Sequence, residues 1–209
     1  MKSNRTTQVL AASVLAFALA GLAGPAMAAD EPDPEGVEVS VTIEPLRVPG
    51  TISMTVAENS GVTLAENGSN AAARQFTGTL PTVTVTDTRL PDEIPDGEFW
   101  AVVGQSSQLV ATGDPAKTID AKYLGWTPHL LSDTTTGAVA AGEPVSSAVS
   151  DGTGAPTEGL TGQELLVSIA NSTEEIGTHK VNADLALRTE PDVAAGEYHS
   201  TLTLSLFNQ

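Results

Sequence analysis

Apolar residues recur at every second position in one segment after another of this chain, and that period limits what it can fold into. In VEVSVTI, residues 37–43, Val37, Val39, Val41 and Ile43 share one face while Glu38, Ser40 and Thr42 share the other. Successive side chains of a strand point to opposite faces, so the pattern predicts a half-buried β-strand. TISMTVA follows a Pro49-Gly50 turn, and LPTVTVTDTR, EFWAVVG, ELLVSIA, VNADLALRT and YHSTLTLSLF repeat the pattern further on. Their Val, Thr, Ile, Leu and aromatic residues suit a pleated surface, and Pro, Gly, Asn and Asp clusters between them supply turns.

No segment carries a sustained 3.6-residue apolar stripe. The best helical candidate, PTEGLTGQELL at residues 156–166, holds two glycines, which predict no more than a turn or two. Short strands separated by turn signals predict an all-β fold, an antiparallel two-sheet sandwich of immunoglobulin-like type. Residues 133–159 are small, polar and glycine-rich and read as a long surface excursion with one edge strand.

The first residues read differently. Lys2 and Arg5 give a basic start, Val9 to Leu22 form an apolar run, and Ala26-Met27-Ala28 offers small residues to a signal peptidase. We expect a signal peptide over residues 1–28, cut between Ala28 and Ala29, because the run is shorter than the roughly 20 residues that span a bilayer. Residues 29–36, rich in acid and proline, read as a disordered leader, and one domain is expected over residues 37–209. No second apolar run follows, so no transmembrane segment is expected after cleavage. The chain has no cysteine, hence neither a disulfide nor a lipoprotein attachment residue, and its length is sufficient for a core without staples.

Cleavage removes two of 9 basic residues and none of the 26 acids, moving the formal charge from -17 to -19. Phosphate backbones are bound by Lys and Arg, so nucleic acid is excluded as a partner. The charge itself speaks to solubility outside the cell rather than to fold.

Chemistry-bearing residues are sparse. His129, His179 and His199 each stand alone in their segments, with no metal-ligand spacing and no cysteine partner, and neither a nucleophile elbow nor a phosphate-cradling glycine motif accompanies the strands. The one conspicuous stretch is DTRLPDEIPDGEFWAVVG, residues 87–104, with five acids. A calcium loop needs alternating oxygen ligands, and Ile94 stands between Asp92 and Asp96 where one is required. Pro91 and Pro95 suit a rigid connection with solvated acids, while Asp87 and Arg89, two apart on one strand face, are placed to pair structurally. A glycan hydrolase using two of Asp92, Glu93, Asp96 and Glu98 would need a sugar cleft that such a loop does not suggest. No metal, cofactor or catalytic residue is expected.

The tryptophans remain. In EFWAVVG, Phe99, Ala101 and Val103 face one way and Glu98, Trp100 and Val102 the other, so Trp100 is expected in the core. Tyr123 and Trp126 in YLGWTPHL sit beside Gly125 and Pro128 at what reads as a strand end, where partial exposure is expected. Trp100, Tyr123 and Trp126 are thus the candidates for contact with a wall glycan or a partner.

TGTLPTVTVTDTR, then FWAVVGQ, YLGWTP and AGEYHSTLTLSLF together resemble the WxL-type cell-wall-binding domains of Gram-positive bacteria, in the form seen in high-GC secreted proteins. The proximal Trp-any-Leu motif maps onto Trp100-Ala101-Val102, with Val102 in place of leucine. The distal motif maps onto Tyr198, Leu202, Thr203 and Leu204, with Asn208 where the family has proline. The resemblance implies a secreted, non-enzymatic protein held non-covalently on peptidoglycan or on a companion surface protein. No sorting signal or hydrophobic tail points to covalent attachment. A different expectation, read from the strands themselves, is a subunit of a surface assembly in which an edge strand or the N-terminal arm adds to a neighbour's sheet.

Overall fold

The computed structural model describes residues 40–57, 61–149 and 158–209. The expected signal peptide, its cleavage site at Ala28 and Ala29, the leader, and Val37 and Val39 lie outside the described residues. The protein is all-β, built from several antiparallel sheets, with three short 3-10 turns among the described residues.

Strand β11, Thr178–Thr189, organises the largest sheet. Its buried row of His179, Val181, Ala183, Leu185, Leu187 and Thr189 alternates with more exposed residues, as the period-two sequence requires. Strands β4 (Val83–Asp87) and β3 (Arg74–Thr79) pair with successive parts of β11 along one edge. Strand β8 (Leu124–Leu130) pairs along the opposite edge. Strand β1 (Ile52–Val56) extends the sheet beyond β4, and β2 (Ala65–Glu66) beyond β3.

A second sheet has the order β13 (Leu202–Asn208), β5 (Trp100–Ser106), β10 (Glu164–Ile169), β9 (Val139–Ala141). A small third sheet joins β12 (Tyr198–His199), β6 (Leu109–Ala111) and β7 (Asp114–Ile119). One cluster of buried residues draws on both larger sheets, including Val83, Val85, Val181 and Leu185 from one and Trp100, Val102, Val167 and Ile169 from the other. Burying each such side chain stabilises the fold by roughly 1.5–3 kcal/mol. Strand β10 lies against β11, and β8 against β9.

Several expectations change in the structure. Ser40–Ile43 form no strand: Val41 and Ile43 are 80% and 85% exposed, because no described sheet edge pairs with them. The described sheets therefore begin at Ile52, and Leu46–Gln209 make one compact unit. YHSTLTLSLF is two strands in two sheets, broken between His199 and Leu202. The segment from residue 133 is less superficial than its composition suggests, since Val139 and Ser147 are buried and Val145 bridges to Trp126. The helical candidate is a single 3-10 turn, Gly159–Thr161, followed directly by β10. Among the described residues no helix is long and apolar enough to cross a membrane.

Candidate functional site

The acidic stretch before β5 is a structural clamp. Arg89 Nη2 meets Asp87 Oδ2 at 2.7 Å and Nε donates to Asp87 Oδ1 at 2.9 Å, while Nη1 is paired with Glu98 Oε1. All three side chains are buried, and hydrogen bonding to Asp87 raises the Arg89 guanidinium further above its ordinary range. A buried charge needs paired and hydrogen-bonded partners, and here one cation sits between two carboxylates. The expected Asp87–Arg89 pair is present. Glu98, which the alternation of EFWAVVG sets on the face of Trp100, is the far end of the clamp.

Glu93 serves the same loop. Its Oε2 accepts the Leu90 N–H at 2.8 Å, which starts the 3-10 turn Pro91–Glu93, and the Gly50 N–H at 3.1 Å. Gly97 then turns the chain at φ 78, a left-handed conformation that favours glycine. Asp92 and Asp96 are the two solvated acids of the loop. Among the described residues, no group of three or more His, Cys, Asp or Glu is placed to hold a metal.

Trp100 and Trp126 are core residues. Trp100 is 0% exposed and packs against His179, ring centroids 5.8 Å apart. Trp126 is 2% exposed, in the middle of β8 rather than at a strand end, and its ring crosses to β5. A Cβ added at Gly104 would lie 2.5 Å from Trp126 Cη2, so only glycine leaves room for that ring. The expectation of contact through either tryptophan is therefore corrected: both are spent on joining the two sheets. Tyr123 is half-buried, and its hydroxyl donates to Glu190 at 3.3 Å; burial, and then Glu190, raise its pKa.

The motif positions fall together in space. Strand β13 pairs directly with β5, setting Leu202 opposite Ser106, Leu204 opposite Gly104, Leu206 opposite Val102 and Asn208 opposite Trp100. Val102 is buried, Leu202 and Leu204 are half-buried, Thr203 faces solvent, and Tyr198, in the third sheet, donates to Ala194 O at 2.8 Å. The departure at Asn208 has a structural counterpart, since its Nδ2 approaches Glu98 Oε1 at 3.4 Å.

What the sequence reading passed over is the outer face of this sheet. With Trp100, Val102 and Gly104 turned inward, Phe99, Ala101 and Val103 turn outward. Phe207 stands opposite Ala101 and Leu165 opposite Val103, completing an apolar face in which Phe99, Phe207 and Leu165 are 39%, 38% and 37% exposed. A shallow depression lined by Glu143, Pro144, Val145, Glu164 and Leu165 adjoins it. The signal was present in the alternation of EFWAVVG, whose second face of Phe99, Ala101 and Val103 is also apolar, and in Phe207 on the polar face of TLSLF.

No family model and no curated protein matches this chain. Among solved structures it is similar to a chain of a chaperone–tip adhesin complex described as vital for synergistic activation of CFA/I fimbriae biogenesis. The similarity has a TM-score of 0.45 and 11% identity, covers 76% of this chain and spans 42% of that one.

Proposed function

We propose that this chain is a secreted, non-catalytic cell-surface protein of WxL-like type, delivered by the N-terminal signal peptide. In this reading its two larger sheets form a sandwich that holds a companion surface protein non-covalently. The observation that carries the reading is the apolar outer face around Ala101 and Val103, rimmed by Phe99, Leu165 and Phe207. Exposed aromatic side chains supply large contact area at low entropy cost. The formal charge, -17 for the full chain and -19 without Lys2 and Arg5, disfavours direct adhesion to anionic wall polymers, which favours a protein partner. Peptidoglycan is the second reading, because the exposed Phe99 and Phe207 rings suit stacking on sugar faces. The non-catalytic reading draws support from the loop carboxylates, since Asp87, Glu93 and Glu98 are committed to holding the backbone and Arg89.

The test is sedimentation with isolated Gram-positive walls, native or stripped of surface proteins, with and without calcium. The expected result is retention on native walls that falls about tenfold or more, roughly 1.4 kcal/mol, in Phe99→Ser/Phe207→Ser. Retention that survives stripping selects peptidoglycan. Failure of the wild type to sediment under every condition overturns the reading.

A further inference from the structure

The outer face of the second sheet has acids at one end and no cation of its own. Phe207, Ala101 and Ser168 form one row across β13, β5 and β10, and Ser205, Val103 and Leu165 form the next. Phe99 lies beyond the first row, bonded through its backbone to Gln209. The apolar path therefore crosses the sheet diagonally, from Phe99 and Phe207 through Ala101 and Val103 to Leu165. At Leu165 it reaches the depression, where Glu143 and Glu164 share the lining with Pro144 and Val145.

This end of the face is fixed by backbone contacts at the seam of the two larger sheets. The Gly142 N–H donates to Leu166 O at 2.9 Å, and Val145 exchanges both backbone hydrogen bonds with Trp126 of β8, each at 2.9 Å. A Cβ added at Gly142 would lie 1.9 Å from Leu165 O, so glycine is what lets the chain cross here and bring Glu143 beside β10.

Strands β5, β9, β10 and β13 contain no Lys or Arg. Several of the described cations are engaged elsewhere: Arg74 with Glu66, Lys117 with Asp114, Arg89 in the clamp, and Lys122 over the Tyr123 ring. Among the described residues neither Glu143 nor Glu164 is paired with a cation, although Glu164 is half-buried.

We propose that this face receives a segment of a companion protein that carries Lys or Arg beside apolar side chains, with the cation at Glu143 and Glu164 and the apolar groups on Ala101, Val103 and Leu165. This assignment rests on the companion-protein reading of the face and names the partner's chemistry. A long cationic side chain keeps its apolar stem on hydrophobic surface and its charged head at a polar rim. Here the stem lies on Pro144, Val145 and Leu165, and the head meets the two carboxylates. Partial shielding from water strengthens such a charge-assisted contact, and it penalises an acidic segment brought to the same place. The apolar contacts supply area, while the charges select the partner and speed encounter. A second copy of this chain is a poorer occupant, since an isologous contact would set the cation-free face against itself and join two strongly acidic chains.

The chain in its secreted form is titrated, by fluorescence anisotropy, into short labelled peptides of equal length that alternate Phe with Lys, Phe with Ser, Ser with Lys, or Phe with Glu. The Phe-Lys peptide is expected to bind about tenfold or more tighter than each of the others, and to weaken as salt rises. Glu143→Gln/Glu164→Gln is expected to lose about tenfold of that affinity and most of its salt dependence. Leu165→Ser/Phe207→Ser is expected to lose the advantage of Phe-Lys over Ser-Lys. Asp192→Asn/Glu197→Gln changes the charge equally at two exposed acids of the β11–β12 connection and is expected to stay within about twofold of wild type.

Equal losses in the two acid pairs would reduce the effect to net charge and overturn the proposal. So would a Ser-Lys or Phe-Ser peptide that binds as tightly as Phe-Lys, or a dimer in light scattering that Phe99→Ser/Phe207→Ser abolishes, which would give the face to a second copy. Wall sedimentation separates the two readings. Equal retention of wild type and Glu143→Gln/Glu164→Gln would leave a companion protein standing and remove its basic character. A wild type that does not sediment, yet binds the Phe-Lys peptide through Glu143 and Glu164, would remove the wall-borne companion and keep the chemistry of the face.

Discussion

Replacing Arg89 by methionine removes the cation from the clamp while keeping most of the side-chain volume. Asp87 and Glu98 would then be left buried, at 3% and 8% exposure, with no cation between them. Removing one partner of a buried ion pair costs about 3–5 kcal/mol, because the charge left behind has lost its compensation. Domains have about 5–15 kcal/mol of stability, so the loss is roughly a fifth or more of the total. For a domain of this length it corresponds to about 6–20 °C in Tm. Urea unfolding followed by circular dichroism measures it. Adding Asp87→Asn and Glu98→Gln to Arg89→Met is expected to recover most of the loss, since neutral amides no longer need the cation. A loss below about 1 kcal/mol for Arg89→Met would place the pair in the range of solvated surface bridges and refute the clamp.

Trp100→Ala and Trp126→Ala are each expected to cost about 3–5 kcal/mol as core truncations, seen as lowered denaturation midpoints. Undiminished stability with lost wall retention would restore either one as a contact residue. Glu175 is buried and accepts from the Thr136 hydroxyl at 2.6 Å, which, with the Thr135 and Thr136 N–H groups and His179, holds its pKa below the ordinary 4.5. A depressed carboxyl stabilises the fold above its unfolded pKa and loses that contribution as pH falls through the folded value. The Tm gap between wild type and Glu175→Gln should therefore be constant from pH 7 to 5 and narrow below about 4.5, as thermal melts across that range would show.

Much of the fold was legible because strand period and turn chemistry are local. The alternations in TISMTVA, LPTVTVTDTR, EFWAVVG, ELLVSIA and VNADLALRT each became a strand, with one face buried in LPTVTVTDTR, EFWAVVG and VNADLALRT and half-buried in TISMTVA, while a bulge in ELLVSIA buries Leu166 and Val167 in succession. The one edge strand expected within residues 133–159 is VAA, whereas RQFTGT has a weak pattern and is made a strand by its partners rather than by propensity. The site was less legible. An acid in a loop looks alike whether solvated or clamped, and Glu98 differs from Asp96 only in what Arg89 does 9 positions earlier. Trp126 lies inside a strand although the glycine and proline beside it resemble a strand end, because Gly125 leaves room for the Val145–Ser147 backbone and Gly104 for the ring.

By itself the sequence determined that this chain forms sheets, that it lacks the cations nucleic acid requires, and that Asp87 and Arg89 share a face. Each follows from composition or from spacing along one strand. Tertiary structure alone decided that Trp126 is buried as Trp100 is, that Glu98 completes an ion triad, and that Val41 and Ile43 alternate like a strand yet lack a described partner. Those outcomes depend on which edges meet, and pairing between distant segments is set by the packing of the whole.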